Sequence, residues 1–220
     1  MHSFFRMDGP LFMFLNKAGN IILASLLWLV GCVPVVTIGV STSALYYCVT
    51  KSIRSERGYV WSEFWTAYKG CLKRGGICTL FYLAILLILW LDSAYAQTFS
   101  GVLGVCMQSV YLLLFIFIII YGIYLFPMLS RFSLPLKQTL KMVLVSVFKY
   151  LPYTIGCCLI MIVLGIVAVR LPLLAVLSFP GLSCFLLSFL LEPVMREYIP
   201  EPETEEEKNI WYYQLVKNKK

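Results

Sequence analysis

Histidine is almost missing from this chain: His2 is the only one in 220 residues. A metal site or general base built on imidazole has next to nothing to draw on, so catalysis by the commonest route is set aside. Charge is scarce as well. Asp, Glu, Lys and Arg make up 13% of the residues while hydrophobic types reach 60%, against roughly 25% and 45–50% in soluble domains. Neither G-x-x-x-x-G-K-[ST] nor a G-x-G-x-x-G after a strand occurs, so ATP-driven work would need a partner subunit. No serine stands in a nucleophile elbow. The eight cysteines include no C-x-x-C pair. Cys32, Cys48, Cys78, Cys106, Cys157, Cys158 and Cys184 lie in or beside apolar runs, and only Cys71 sits in a polar segment. They read as small packing residues, with neither a metal nor a disulfide framework implied. No cofactor is expected.

What the chain does have is a series of apolar runs long enough to cross a bilayer, which takes about 20 helical residues. The expected fold is all-α: a polytopic transmembrane helical bundle with spans at 21–36, 38–53, 77–91, 102–126, 153–169 and 173–191. The second run is short and carries Thr37, Ser41, Thr42, Ser43 and Thr50, so a re-entrant hairpin is its alternative. Residues 1–19 mix aromatics with Arg6, Asp8 and Lys17, which suits an interfacial segment. No signal-peptide cleavage is expected, because the apolar run from Ile21 continues into Pro34-Val35-Val36-Thr37-Ile38-Gly39.

Two polar stretches carry helical periodicity. Over 61–74, Trp61, Phe64, Trp65 and Tyr68 share one face and Lys69 and Lys73 the other. The second runs over 135–150, with Leu136, Leu140, Val143, Leu144, Val147 and Phe148 on one side. Both are expected to be amphipathic helices lying in the membrane plane, Trp61, Phe64, Trp65, Tyr68, Lys69 and Lys73 acting as interface anchors; a ligand-binding aromatic box is the sharper alternative. Each is followed by a membrane hairpin, so 61–126 and 134–191 suggest a parallel repeat.

The net charge of +7 is distributed as a topology signal and does not point to nucleic acid. With six spans, every Lys and Arg except Arg170 falls on one side. That side is expected to be cytoplasmic, with both termini on it and the lipid bilayer as first partner. The 197–220 tail, acidic from Glu201 to Glu207 and aromatic at Trp211, Tyr212 and Tyr213, reads as solvated or resting on headgroups, a docking helix being the alternative.

Ionisable groups at membrane depth are functional candidates by default. Asp92 and Arg170 close two spans on the outer side, where an interfacial ion pair or plain water exposure competes with the flanks of an outward-facing cleft. Glu192 ends the last span near Arg196 and Glu197. The one polar stretch near mid-span, Pro34, Thr37, Gly39, Ser41, Thr42 and Ser43, is either a polar turn lining a solute path or a helix-packing motif; Gly39 and Ser43 have small-xxx-small spacing.

The run Ser25-Leu26-Leu27-Trp28, followed by Pro34-Val35-Val36-Thr37-Ile38-Gly39 and a small-residue stretch ending Ala44-Leu45-Tyr46, resembles the YesL family of bacterial membrane proteins of unknown function. The family's form is N-x-L-W, then P-x-x-T-I-G, then A-L-Y, and the likeness extends through 64–73 and on to Arg196. Ser25 stands where the family commonly has Asn, so an interhelical bond made by that amide would be kept only in part. The 201–220 tail lies outside the resemblance. Family members are often encoded beside carbohydrate uptake systems and sensor kinases. The resemblance therefore implies a non-enzymatic accessory role at the bacterial cytoplasmic membrane, beside a carbohydrate transporter subunit or sensor kinase. A small transporter or channel is the alternative, and a membrane enzyme using Asp92, Glu192 and Glu197 is the least supported. Homo-oligomerisation stays open.

Overall fold

The computed structural model describes residues 10–98, 101–132 and 134–199. Among them the chain forms seven α-helices and no strand: α1 (Pro10–Gly31), α2 (Ile38–Cys48), α3 (Val60–Ala96), α4 (Val102–Arg131), α5 (Leu136–Lys149), α6 (Leu151–Arg170) and α7 (Pro172–Arg196). A 3-10 turn, Val35–Thr37, leads into α2, and a π-helical turn, Val49–Arg54, prolongs it. Helices α3, α4, α6 and α7 are long and apolar enough to cross a membrane. The expectation of six spans is met at that level by four. The described apolar stretch of α1, Leu15–Gly31, is shorter, and α2 with its π turn runs from 38 to 54, roughly 25 Å at 1.5 Å per residue.

The shortest of these apolar helices is also the most enclosed. Gly39, Val40, Ser41, Ser43, Ala44, Leu45, Tyr46 and Cys48 of α2 are all buried, and α1, α3, α4 and α7 pack around them. Small residues make this enclosure possible, because neighbouring backbones approach only where side chains are short. By contrast, α3, α4 and α6 turn apolar side chains outward: Leu80, Phe81 and Ile88; Leu112, Leu113 and Ile116; Ile155, Leu159 and Ile162. A soluble chain would not leave such continuous apolar area open. Hydrocarbon is the solvent that suits it.

Several expected boundaries move. The expected in-plane helix over 61–74 and the span over 77–91 are one continuous helix, α3. Glycine costs about 1 kcal/mol in a helix and does not by itself stop one, and Gly75 is used for packing: a Cβ there would meet Val40 Cγ2 at 2.9 Å. The 37 residues of α3 reach roughly 55 Å, well beyond a hydrocarbon core of about 30 Å. Its first turns therefore continue the axis of the span and form no separate helix. The helix also runs on to Ala96, through Asp92 and into the loop expected at 92–101.

The 135–150 expectation matches α5, which does stay separate. Tyr150 leaves helical geometry and Pro152 follows within the first two positions of α6, where proline starts a helix but cannot continue one. The two halves are thus built differently, one with its amphipathic segment fused to the span and one with it detached, so the repeat is not reproduced. Residues 10–19, expected to be interfacial, are the opening turns of α1; residues 1–9 and 200–220 lie outside the described part. The fourth span, expected to end at 126, runs on as α4 through Pro127 to Arg131.

Four ion pairs gather at one end of the bundle, where α2, α4 and α7 finish and α3 begins: Lys17–Glu56, Lys51–Glu63, Arg131–Glu192 and Lys149–Glu197. Lys17, Lys51, Arg131 and Lys149 are therefore held by carboxylates at that end.

Candidate functional site: a buried arginine and glutamate cluster

The cluster begins with an irregularity in α2. Thr50 donates its hydroxyl back to the carbonyls of Tyr46 (2.8 Å) and Tyr47 (3.0 Å), and Ser55 does the same to Lys51 (2.5 Å) and Thr50 (3.2 Å). Hydroxyls that occupy the carbonyls of the preceding turn compete with the backbone amides for them. The helix widens here into the π turn Val49–Arg54, a feature often found at functional sites. The added residue shifts the helical phase beyond it and turns Arg54 towards α7.

On α7, Arg54 donates to the Ser188 carbonyl at 2.6 Å and to the Ser188 hydroxyl at 3.3 Å, with its guanidinium 4.5 Å from the Phe189 ring. Pro193 lies a turn further on within the same helix, and its missing N–H leaves the Phe189 carbonyl without its helical donor. Immediately before Pro193 stands Glu192. Its Oε1 accepts from the Tyr46 hydroxyl at 3.3 Å and from Nη2 of Arg131, at the last turn of α4. The Arg131 and Glu192 side chains are each only 4% exposed.

Helices α2, α4 and α7 thus meet through one carboxylate, one phenol and two guanidiniums. Each of the three helices is irregular there: a π turn in α2, Pro127 one turn before Arg131 in α4, and Pro193 in α7. Charges this deeply buried are expensive unless paired. What the arrangement does chemically is fix the relative rotation of three helices by directional bonds where apolar packing alone would let them slide.

Much of the expected polar turn is packed against neighbouring helices. Pro34 is exposed at the turn after α1. Thr37 donates its hydroxyl to the carbonyls of Gly31 (2.8 Å) and Pro34 (2.7 Å), closing the end of α1. A Cβ on Gly39 would fall on the Phe126 ring and Thr79 Oγ1, and one on Gly31 would come within 2.5 Å of Ser41 Oγ. Thr42 accepts from the Trp28 indole at 3.1 Å while donating to the Ile38 carbonyl at 2.8 Å, and Ser43 is fully buried.

Ser25 makes the interhelical bond that its position suggests. Its hydroxyl donates to the Ile21 carbonyl at 2.9 Å and accepts from the Gly181 amide of α7 at 3.0 Å.

The other sequence candidates are spread out. Asp92 and Arg170 are both exposed, and no ion pair joins them. Of the aromatic stripe, Phe64 is wholly buried in the core, Trp65 and Tyr68 pack half-buried against it, and only Trp61 stands out at 59% exposure. Phe64 is therefore a core residue, not an interface anchor. Lys69 and Lys73 are exposed on the opposite face.

Arg54, Arg131 and Tyr46 escape sequence reasoning because each looks ordinary alone, the arginines as topology charges and the tyrosine as part of a small-residue stretch. A signal exists in Glu192-Pro193, a carboxylate beside a helix-distorting proline inside an apolar run. Among the described residues no cluster of histidine, cysteine and carboxylates suits a metal ion, and all eight cysteines are free thiols.

Residues 21–93 match the family model described as "Protein of unknown function, DUF624". That segment covers the second half of α1, all of α2 and its π turn, and α3 to Ser93, so Tyr46 and Arg54 fall inside it and Arg131 and Glu192 outside. No curated protein matches the chain. No solved structure does either.

Proposed function

We propose that this chain is a non-enzymatic accessory protein of the bacterial cytoplasmic membrane, one that packs against a carbohydrate transporter subunit or sensor kinase through its membrane-level helix faces. The observation that carries this reading is the closure of the one polar stretch near mid-span. Gly39 lies against Phe126 and Thr79, Gly31 against Ser41, and the Trp28 indole against Thr42. A solute path along that stretch would need the space these side chains fill. The outward apolar faces of α3, α4 and α6 supply area for lipid and for a partner's helices alike. The carbohydrate assignment rests on the family resemblance alone.

In this reading α1, α2, α3, α4, α6 and α7 all cross the membrane. The basic end, with both termini, faces the cytoplasm, as loops rich in Lys and Arg do. The cluster around Glu192 then holds α2, α4 and α7 in one arrangement at the cytoplasmic end, giving a partner a fixed surface. The test is extraction of the tagged full chain from its native membrane in mild detergent, with mass spectrometry of what accompanies it. Stoichiometric recovery of a sugar-transport subunit or sensor kinase is expected. Recovery of the chain alone, together with solute flux in liposomes, would replace this reading with transport.

A further inference from the structure

Helix α5 divides its apolar residues between two directions. Val143 and Val147 enter the core, together with the buried Thr139 and Ser146. Leu140, Leu144 and Phe148 do not: they are 39%, 43% and 59% exposed. The helix is held in this orientation from both sides. The Tyr121 hydroxyl donates to the Leu140 carbonyl at 3.1 Å, the Phe117 and Phe148 rings lie 5.9 Å apart, and Ser146 donates to the Tyr198 hydroxyl at 3.0 Å. The outward face is thus not a consequence of loose docking.

That face changes character along its length. Lys137, Lys141, Leu144 and Phe148 recur at i, i+4, i+7 and i+11, so they form one stripe. Its first half is basic and its second apolar, with roughly 10 Å from Lys141 to Phe148 along the axis. Lys137 and Lys141 are exposed and enter none of the four ion pairs among the described residues. Beyond Phe148, Leu151, Ile155, Leu159, Ile162 and Ile166 form an exposed apolar stripe on α6, the helix that follows α5 directly. A shallow groove of about 500 Å³ lined by Leu144, Val145, Phe148 and Lys149 lies beside the stripe. The ammonium of Lys149 is taken up by Glu197 at 2.5 Å, which leaves Lys137 and Lys141 as the cations this stripe can offer a ligand.

We infer that the α5 stripe and the adjoining α6 surface form a binding site for an anionic phospholipid, with the headgroup phosphate on Lys137 and Lys141 and an acyl chain over Leu144, Phe148 and the α6 face. Charge complementarity and the exposed apolar stripe of the membrane-length helix that follows α5 both select a lipid over a soluble anion. A polar ligand gains nothing from Leu144 and Phe148, and a zwitterionic lipid gains little from two exposed ammonium groups. Each lysine near an anionic surface contributes about 1 kcal/mol, or roughly fivefold, so removing both lowers retention of the anionic lipid about 25-fold.

The test is native mass spectrometry of the full chain, purified in mild detergent and equilibrated with mixed micelles of equal phosphatidylglycerol and phosphatidylcholine. Wild type is expected to retain phosphatidylglycerol preferentially. Lys137→Gln with Lys141→Gln loses that preference, Lys137→Arg with Lys141→Arg keeps it, and Lys69→Gln with Lys73→Gln on α3 leaves it unchanged. Melting temperature and helicity verify that each variant folds. The assignment is overturned by equal retention of both lipids in wild type, by an unchanged preference in the glutamine variant, or by an equal loss when only the α3 lysines are removed. A stoichiometric protein bound over this face in native-membrane extracts, in place of lipid, would overturn it as well.

Discussion

Replacing Glu192 with leucine takes the carboxylate away from a guanidinium and a phenol that the fold has already desolvated. Arg131 and Glu192 are each 4% exposed, and Tyr46, which donates to the same oxygen, is fully buried. Removing one member of such a pair costs about 3–5 kcal/mol, chiefly because the other charge remains in a poor solvent. At about 2–4 °C per kcal/mol for a chain of this size, Glu192→Leu should lower the melting temperature by roughly 6–20 °C. The buried thiols of Cys48, Cys78, Cys157 and Cys184 supply the assay: a thiol-reactive fluorogenic dye reports their exposure as the detergent-solubilised protein is heated. The informative comparison is the double variant Arg131→Met with Glu192→Leu. It carries no buried charge from this pair and should recover most of the loss, since a buried ion pair replaced by apolar side chains of similar size is often neutral or stabilising. A single variant melting within about 2 °C of wild type, or a double variant as unstable as the single, would refute the reasoning.

Gly39→Leu should abolish folding or lower the melting temperature steeply, because even a Cβ at this position overlaps the Phe126 ring and Thr79, and overpacking costs about 1–3 kcal/mol before larger clashes are counted. Gly181→Ala should be nearly as harmful for a different reason: its Cβ would lie 2.6 Å from the Ile21 carbonyl, a backbone atom that no rotamer change can move; the same melting assay checks both. Ser25→Ala removes the acceptor of the Gly181 amide and should cost about 1 kcal/mol, while Ser25→Asn should hold or raise stability if the larger amide reaches both helices. Glu197→Gln should leave the melting temperature unchanged at physiological salt, since its pair with Lys149 is about half exposed at both ends and screened. The Glu197 hydrogen bond holds the Lys149 ammonium above its ordinary pKa, so whatever the pair contributes is present below that ordinary value and lost only as pH rises through the raised one; melting curves should be flat from neutral pH to mildly alkaline pH. For orientation, in a background carrying Cys32→Ser and Cys106→Ser, Gln97→Cys should react with a membrane-impermeant maleimide on intact cells, and Lys137→Cys only after permeabilisation.

The α3 helix shows where sequence patterning misleads. An amphipathic stretch followed by Gly75-Gly76 and an apolar run reads as two elements, because interface helices and spans differ in composition. The structure joins them, since nothing at that point removes a hydrogen bond from the helix, whereas Pro152 does so after α5. The aromatic stripe has the same ambiguity. Spacing places Trp61, Phe64, Trp65 and Tyr68 on one face, but not what that face meets, and the core of the bundle encloses Phe64 completely. Alternation leads the sequence to expect Asp92 and Arg170 as span ends on the same side, yet it does not bring two such positions within bonding distance.

Composition by itself determined the all-α architecture and the apolar spans, because helices satisfy their own backbone where no water is present. It also marked Gly39 to Ala44 as a small-residue stretch with the spacing that lets helices approach closely. Only the tertiary structure decided that α2 is the centre of the bundle and that Glu192 joins Arg131 and Tyr46 across 61 and 146 positions of sequence. Contacts at that separation are set by how three irregular helices rotate against each other, and neither hydropathy nor local periodicity carries that information.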